Sequence, residues 1–120
     1  ARQAGVDVSQ VHATDKYPTG FYMGVLDSDG YRQFAFDDMR VMQELTESYL
    51  LYHADLFEQA AMVFVDANLS ASALAAVFGL ARKYKLPVCA DPTSGALALG
   101  ILPYLRQLKI ILEGLLLTQN

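Results

Sequence analysis

The plainest pattern in the chain is the unbroken apolar run Ala61-Met62-Val63-Phe64-Val65, closed by Asp66. A run of that length without polar alternation predicts a parallel strand buried on both faces. The period then changes. Leu74, Val77, Phe78, Ala81 and Tyr84 recur at helical spacing and make one apolar stripe. Ser70 or Ser72 caps this helix. Arg82, Lys83 and Lys85 gather at its end, where the backbone dipole favours cations, and Pro87 stops it. Val88-Cys89-Ala90-Asp91 predicts a second short strand, again closed by a carboxylate. Thr93 or Ser94 caps a helix from Gly95 to about Gly100, and Pro103 starts or kinks a further turn through Leu108. Lys109 to Leu117 is apolar and β-compatible, interrupted by Glu113-Gly114. Strand, helix, strand, helix, strand is the α/β order of a parallel sheet with right-handed crossovers.

Upstream the pattern is different. Phe21 to Leu26 and Tyr31 to Phe36 are both β-prone, and the turn formers Asp27-Ser28-Asp29-Gly30 lie between them. That predicts a hairpin over about 18–37, with Gly30 free to take a positive φ. Its aromatics, Phe21 and Tyr22, then Tyr31, Phe34 and Phe36, occupy both faces, so the hairpin needs cover on both sides. It precedes the parallel unit and does not fit into the same sheet. Residues 43–60 read as helical: Thr46 caps a segment through His53 with Glu47 in the first turn, and Asp55 caps a short second turn through Ala60. Residues 1–17 read as loop, with room for a short strand around Val6, Val8 and Val11.

Composition narrows the function classes. The chain has 120 residues, 53% hydrophobic and 18% charged, which is globular rather than disordered. Nine Lys and Arg against thirteen Asp and Glu leave a net charge of −4, without the basic footprint of a nucleic-acid or anionic-membrane surface. No apolar run approaches the length of a membrane span. The single cysteine, Cys89, excludes an intrachain disulfide and a multi-cysteine zinc site, and it makes a reducing, cytoplasmic setting the expectation. His12 and His53 lack metal-site spacing. There is no G-x-S-x-G elbow, no Walker loop and no G-x-G-x-x-G.

The candidate chemistry therefore falls on carboxylates. Asp66 and Asp91 each close a predicted parallel strand, and ligands of open α/β sheets bind outside the carboxyl ends of the strands. Asp66-Ala67-Asn68 and Asp91-Pro92-Thr93-Ser94 would put an amide and hydroxyls on the same rim, with backbone N–H groups of the next helix available to an anion. The plainer reading makes both aspartates caps of turns and helix starts, which is the commoner role. Cys89 reads as a small buried hydrophobe. Tyr22, Tyr31 and Phe34 can stack on a sugar or base, or simply pack.

In order, Gly5-Val6-Asp7-Val8-Ser9, Pro18-Thr19-Gly20 opening the hairpin, Leu26-Asp27 with Gly30, Asp37-Asp38-Met39, Leu45-Thr46, Ala60 through Asp66-Ala67-Asn68-Leu69, Leu86-Pro87-Val88 and Asp91-Pro92-Thr93-Ser94 resemble the middle of ribokinase-like (PfkB family) carbohydrate and nucleoside kinases. Asp38-Met39 and the last two features are most similar to the pseudouridine-kinase-like branch. The resemblance runs to about Leu108, and its specificity lies in order and spacing, not in one motif.

The resemblance implies an incomplete α/β domain: a ribokinase-like parallel sheet with flanking helices over about 43–120, plus a protruding β-hairpin lid. It implies ATP-dependent phosphorylation of a sugar or nucleoside hydroxyl, with Mg²⁺ neutralising phosphate charge. Thr19, Gly20, Tyr22, Met23 and Asn68 would face the substrate, and Asp66, Asp91, Thr93 and Ser94 the phosphate path. The family's Gly-Gly and Asn sugar-binding segment and its Gly-Ala-Gly-Asp motif, which carries the catalytic base and anion hole, would lie outside these residues. The chain alone is then expected to be inactive. The family's Thr-Pro-Asn finds its nearest match in Thr118-Gln119-Asn120, which makes Asn120 the metal-side candidate. The lid also implies a possible homodimer through the hairpin. Two other readings stay open: a non-catalytic kinase-like interaction module, and a small receiver- or flavodoxin-like domain.

Overall fold

The computed structural model describes residues 1–111, which form two compact units. The first, Ala1–Glu44, is built on an antiparallel hairpin of β1 (Phe21–Leu26) and β2 (Arg32–Asp38). Phe21 pairs with Asp38, Met23 with Phe36 and Val25 with Phe34. The turn is fastened by one side chain. Asp27 Oδ1 accepts the N–H groups of Asp29 and Tyr31 at 3.0 and 2.9 Å, and Oδ2 accepts Gln33 Nε2 at 2.6 Å. Gly30 N–H donates to the Asp27 carbonyl, and Gly30 takes the left-handed conformation expected of it, with φ 87°. All six residues of β1 and the first six of β2 are exposed. The register places Phe21, Met23, Val25, Phe34 and Phe36 on one face and Tyr22, Gly24, Ala35 and Asp37 on the other, so the apolar side chains gather on one open face and not on both as expected, because Phe34 and Phe36 are two apart in a strand.

Two 3₁₀ turns, Arg2–Ala4 and Arg40–Glu44, flank the hairpin in sequence. No strand forms around Val6, Val8 or Val11; this stretch is loop. It is tied to the second turn by Lys16 Nζ, which donates to Glu44 Oε1 at 2.8 Å, with His12 Nε2 3.9 Å from Glu44 Oε2.

The second unit starts at Leu45. Its centre is a parallel sheet, β3 (Val63–Asp66), β4 (Val88–Asp91) and β5 (Leu108–Ile111), in that spatial order. The helices are α1 (Glu47–Tyr52), α2 (Ala54–Gln59), α3 (Ala71–Lys83) and α4 (Gly95–Ile101), with a 3₁₀ helix over Leu102–Gln107 that Pro103 opens. Thr46 caps α1 and Ser70 caps α3, each accepting the N–H three residues on. Asp55 sits in the first turn of α2 rather than capping it; His53 holds the cap position.

One face of the sheet meets α3. Val65, Val88 and Ala90 lie with Leu74, Val77, Phe78 and Ala81 in the buried core, and Phe78 stacks on Tyr104. α3 is buried on more than its predicted stripe, because Ala73, Ala76 and Leu80 are covered too, and α1 packs against it. The strand expected over 61–66 is shorter and differs in burial: Val65 is 4% exposed, whereas its neighbour Phe64 is 62% exposed. β3 is an edge strand whose second face no other described element covers. The end of α3 also departs from expectation. The chain leaves the helix before Pro87, at Lys85, whose φ is 58°. Lys85 N–H donates to the Arg82 carbonyl and Leu86 N–H to the Ala81 carbonyl, the paired bonds of a Schellman motif. Among the described residues no helix is long and apolar enough to cross a membrane.

Candidate functional site

Because β3 and β4 are parallel and in register, Asp66 stands beside Asp91 at their carboxyl ends. Each aspartate closes the turn that follows it in the same way. Asp66 Oδ1 accepts Asn68 N–H at 2.7 Å, and Asp91 Oδ1 accepts Thr93 N–H at 2.8 Å. The plainer reading of the sequence, aspartates as turn caps, therefore holds for both. More is present, however. Asn68 Nδ2 donates to Asp66 Oδ1 at 2.6 Å, and Thr93 Oγ1 donates to Asp66 Oδ2 at 3.0 Å across the two strand ends. Ala67 N–H donates to the Asp91 carbonyl at 3.0 Å and carries the pairing of the two strands one residue past Asp66.

Thr93 carries a φ of 61°, an unusual conformation for a β-branched residue. It is held there from several sides. Ser94 N–H closes back onto the Pro92 carbonyl, Thr93's own N–H and hydroxyl are bonded to the two aspartates, and the Ser94 hydroxyl caps α4 by accepting Leu97 N–H at 3.2 Å. Of the two capping candidates, Ser94 caps the helix, and Thr93 is turned to the rim. Asp66, Asn68, Asp91, Thr93 and Ser94 are all half-buried.

The structure thus brings the five rim candidates together in the second unit. The other candidates belong to the hairpin unit. Thr19 is exposed, and Gly20 lies so close to Met39 that a Cβ there would stand 3.1 Å from its Sδ. The Tyr22 hydroxyl accepts Arg32 Nη1 at 3.2 Å, and Met23 is exposed. Asn120 lies outside the described residues. Sequence reasoning placed Thr93 on the rim but missed its bond to Asp66. The available signal was the twin spacing Asp66-x-Asn68 and Asp91-x-Thr93, which puts the two turns at the same height on neighbouring strands.

Among the described residues no group of three or more His, Cys, Asp and Glu side chains converges as a metal site. Mg²⁺ commonly uses one or two carboxylates and fills its shell with phosphate oxygens and water. Asp66 and Asp91 place two carboxylates side by side, the number such an ion takes from a protein, and three of their four oxygens already accept hydrogen bonds.

The α/β fold with its parallel sheet has a counterpart among solved carbohydrate kinases. A carbohydrate kinase from Agrobacterium tumefaciens aligns over 80% of this chain and 32% of its own, with a TM-score of 0.66 and 26% identity. The structure titled Sa239 has the same TM-score, 0.66, at 16% identity, and supports the fold alone. The model of the pfkB family carbohydrate kinases matches residues 1–111, and the chain belongs to that family. Among curated relatives, the pseudouridine kinase of Escherichia coli K12 is 32% identical over 92 residues, and the uncharacterized sugar kinase YeiI of the same strain is 34% identical over 93. These alignments take in 77% and 78% of this chain but only 29% and 25% of the relatives' lengths.

Proposed function

We propose that this chain is part of an ATP-dependent kinase that phosphorylates a sugar or nucleoside hydroxyl, with pseudouridine the first candidate substrate. The observation that carries the reading is the rim itself, in a chain that matches the kinase family over 1–111: two strand-end carboxylates, the Asn68 amide and the Thr93 hydroxyl, held together by short bonds. Phosphoryl transfer asks mainly for positioning and charge stabilisation, and a hydrogen-bonded rim on a parallel sheet is suited to that. In this reading Asn68 is the substrate-side candidate of the sheet unit, and Thr19, Gly20, Tyr22 and Met23 are the substrate-side candidates of the hairpin unit. Asp66, Asp91, Thr93 and Ser94 border the phosphate path, and ATP arrives with its Mg²⁺. Asn120 is a candidate on the metal side. The need for ATP goes with a cytoplasmic setting.

The catalytic base of this kinase is not among the residues of this chain, so the chain alone is inactive in this proposal. The test is ADP release with Mg-ATP and pseudouridine or a panel of pentoses and hexoses. It is run on the chain itself and on a chain extended by a segment carrying the family's Gly-Ala-Gly-Asp motif. Turnover only in the extended protein is expected. Turnover by these 120 residues would overturn the inactivity, and no turnover by the extended chain on any sugar would overturn the kinase reading.

The hairpin favours a second reading, an interaction module that pairs two copies of the chain. One face of β1 and β2 is apolar and open, with Phe21, Met23, Val25, Phe34 and Phe36 each exposed. Sedimentation at micromolar concentration discriminates: a strict monomer would count against pairing.

A further inference from the structure

The two rim aspartates carry different loads. Asp91's carboxylate fastens its own turn through Thr93 N–H, whereas Asp66 holds groups from two turns: the backbone and side-chain nitrogens of Asn68 on Oδ1, and the Thr93 hydroxyl on Oδ2. An ionised carboxylate can only accept hydrogen bonds. Asn68 must therefore turn its amide nitrogen towards Asp66, which leaves its carbonyl oxygen as the end directed away from that carboxylate. The free end of Asn68 is an acceptor, suited to a hydroxyl donor.

Resting on the kinase reading above, we infer that Thr93 is a positioning residue. Its hydroxyl fixes the Asp66 carboxylate, and the fixed carboxylate sets Asn68 with its carbonyl oxygen presented to a substrate hydroxyl. Backbone strain gives this argument its direction. At a φ of 61° glycine would sit easily, yet the position holds a β-branched residue whose hydroxyl reaches the neighbouring strand end. Strain of this kind persists only where surrounding bonds enforce it, and here they come from Asp91, Asp66 and the Ser94–Pro92 turn.

The test compares Thr93→Gly and Thr93→Ser with the unaltered full chain. Glycine removes the hydroxyl while suiting the turn, so the variant is expected to fold, as checked by the backbone amide signals of Val88 and Ala90. Serine restores the hydroxyl. The readouts are the NMR signals of the Asn68 Nδ2 hydrogens and the affinity for D-ribose. In T93G the Asn68 side-chain signals are expected to move to the positions of a solvated amide and the ribose dissociation constant to rise about tenfold, the scale of one lost hydrogen bond to a charged group. T93S should return both towards the unaltered chain. Where glycine loosens the turn, Thr93→Ala is read in the same way. Asn68 signals unchanged in T93G would overturn the inference, even if ribose binds and the kinase reading stands. If ribose binds none of the proteins while T93G still releases Asn68, the positioning role is supported and the sugar-binding reading falls.

Discussion

Phe78 and Tyr104 lie face to face, their ring centroids 4.2 Å apart and their planes within 4°. Phe78 is 1% exposed, and its ring joins α3 to the 3₁₀ helix that leads into β5. Phe78→Ala is expected to cost about 3–5 kcal/mol, the usual loss for a buried aromatic. Tyr104→Leu keeps most of the apolar volume and should cost about 0.5–1.5 kcal/mol, the worth of the ring pair beyond its burial. Phe64→Ala is the control. Its side chain is 62% exposed, so the change should stay within about 0.5 kcal/mol. Urea unfolding of the three variants checks the order, and a Phe64→Ala as costly as Phe78→Ala would show that the open face of the sheet is covered in solution.

Lys85 ends α3 in a left-handed conformation that glycine adopts without strain. Lys85→Gly removes a steric penalty of about 1–2 kcal/mol and adds chain entropy to the unfolded state, for a net stabilisation of about 0.5–1 kcal/mol. The urea midpoint should rise with the slope unchanged. A lower midpoint would mean that the lysine side chain contributes more than its backbone strain costs.

These positions mark where the sequence was legible. β4 was expected over Val88–Asp91 and is found there, because a short apolar run between Pro87 and Pro92 leaves little room for another boundary. The caps Thr46 and Ser70 were legible because a hydroxyl before a helical stripe has one obvious task. The same logic named Pro87 as the stop of α3, but a lysine reached the left-handed region first, and nothing in its residue type announces that. The exposure of Phe64 was not legible either, since a continuous apolar run does not say whether a second layer is present. At the rim, the twin Asp turns were readable from local spacing, whereas the Thr93–Asp66 bond joins residues 27 apart in sequence and depends on strand register.

Asp27 organises the hairpin turn, and its carboxyl is held below the usual value of 3.8, first by the Tyr31 N–H and then by the Gln33 amide and the N–H groups of Asp29 and Gly30. A carboxyl lowered on folding contributes stability that is fully present above 3.8 and is lost as pH falls through its folded value. The hairpin should therefore loosen on acidification below that point, read as faster hydrogen exchange at the Tyr31 amide. Asp27→Ala should produce the same loosening at neutral pH. Equal protection of Tyr31 in both proteins would show that the strands hold the turn without the carboxylate.

Asp38 closes β2 against Arg40, with Arg40 Nη2 2.6 Å from its Oδ2 and Arg40 Nε 2.9 Å from its Oδ1. These side-chain bonds, followed by the Arg40 N–H, bring the Asp38 carboxyl from 3.8 down to about 2. The stabilisation is present above 3.8 and disappears as pH falls towards about 2. The partners are two residues apart, so the unfolded chain can form part of the same pair, and the effect belongs more to local geometry than to global stability. Arg40→Gln should move the carboxyl midpoint of Asp38 back up towards 3.8 with little change in the urea midpoint. Carbon-detected NMR titration of the Asp38 carboxyl measures this directly. A midpoint unmoved by Arg40→Gln would assign the depression to the backbone N–H alone and leave the guanidinium no part in it.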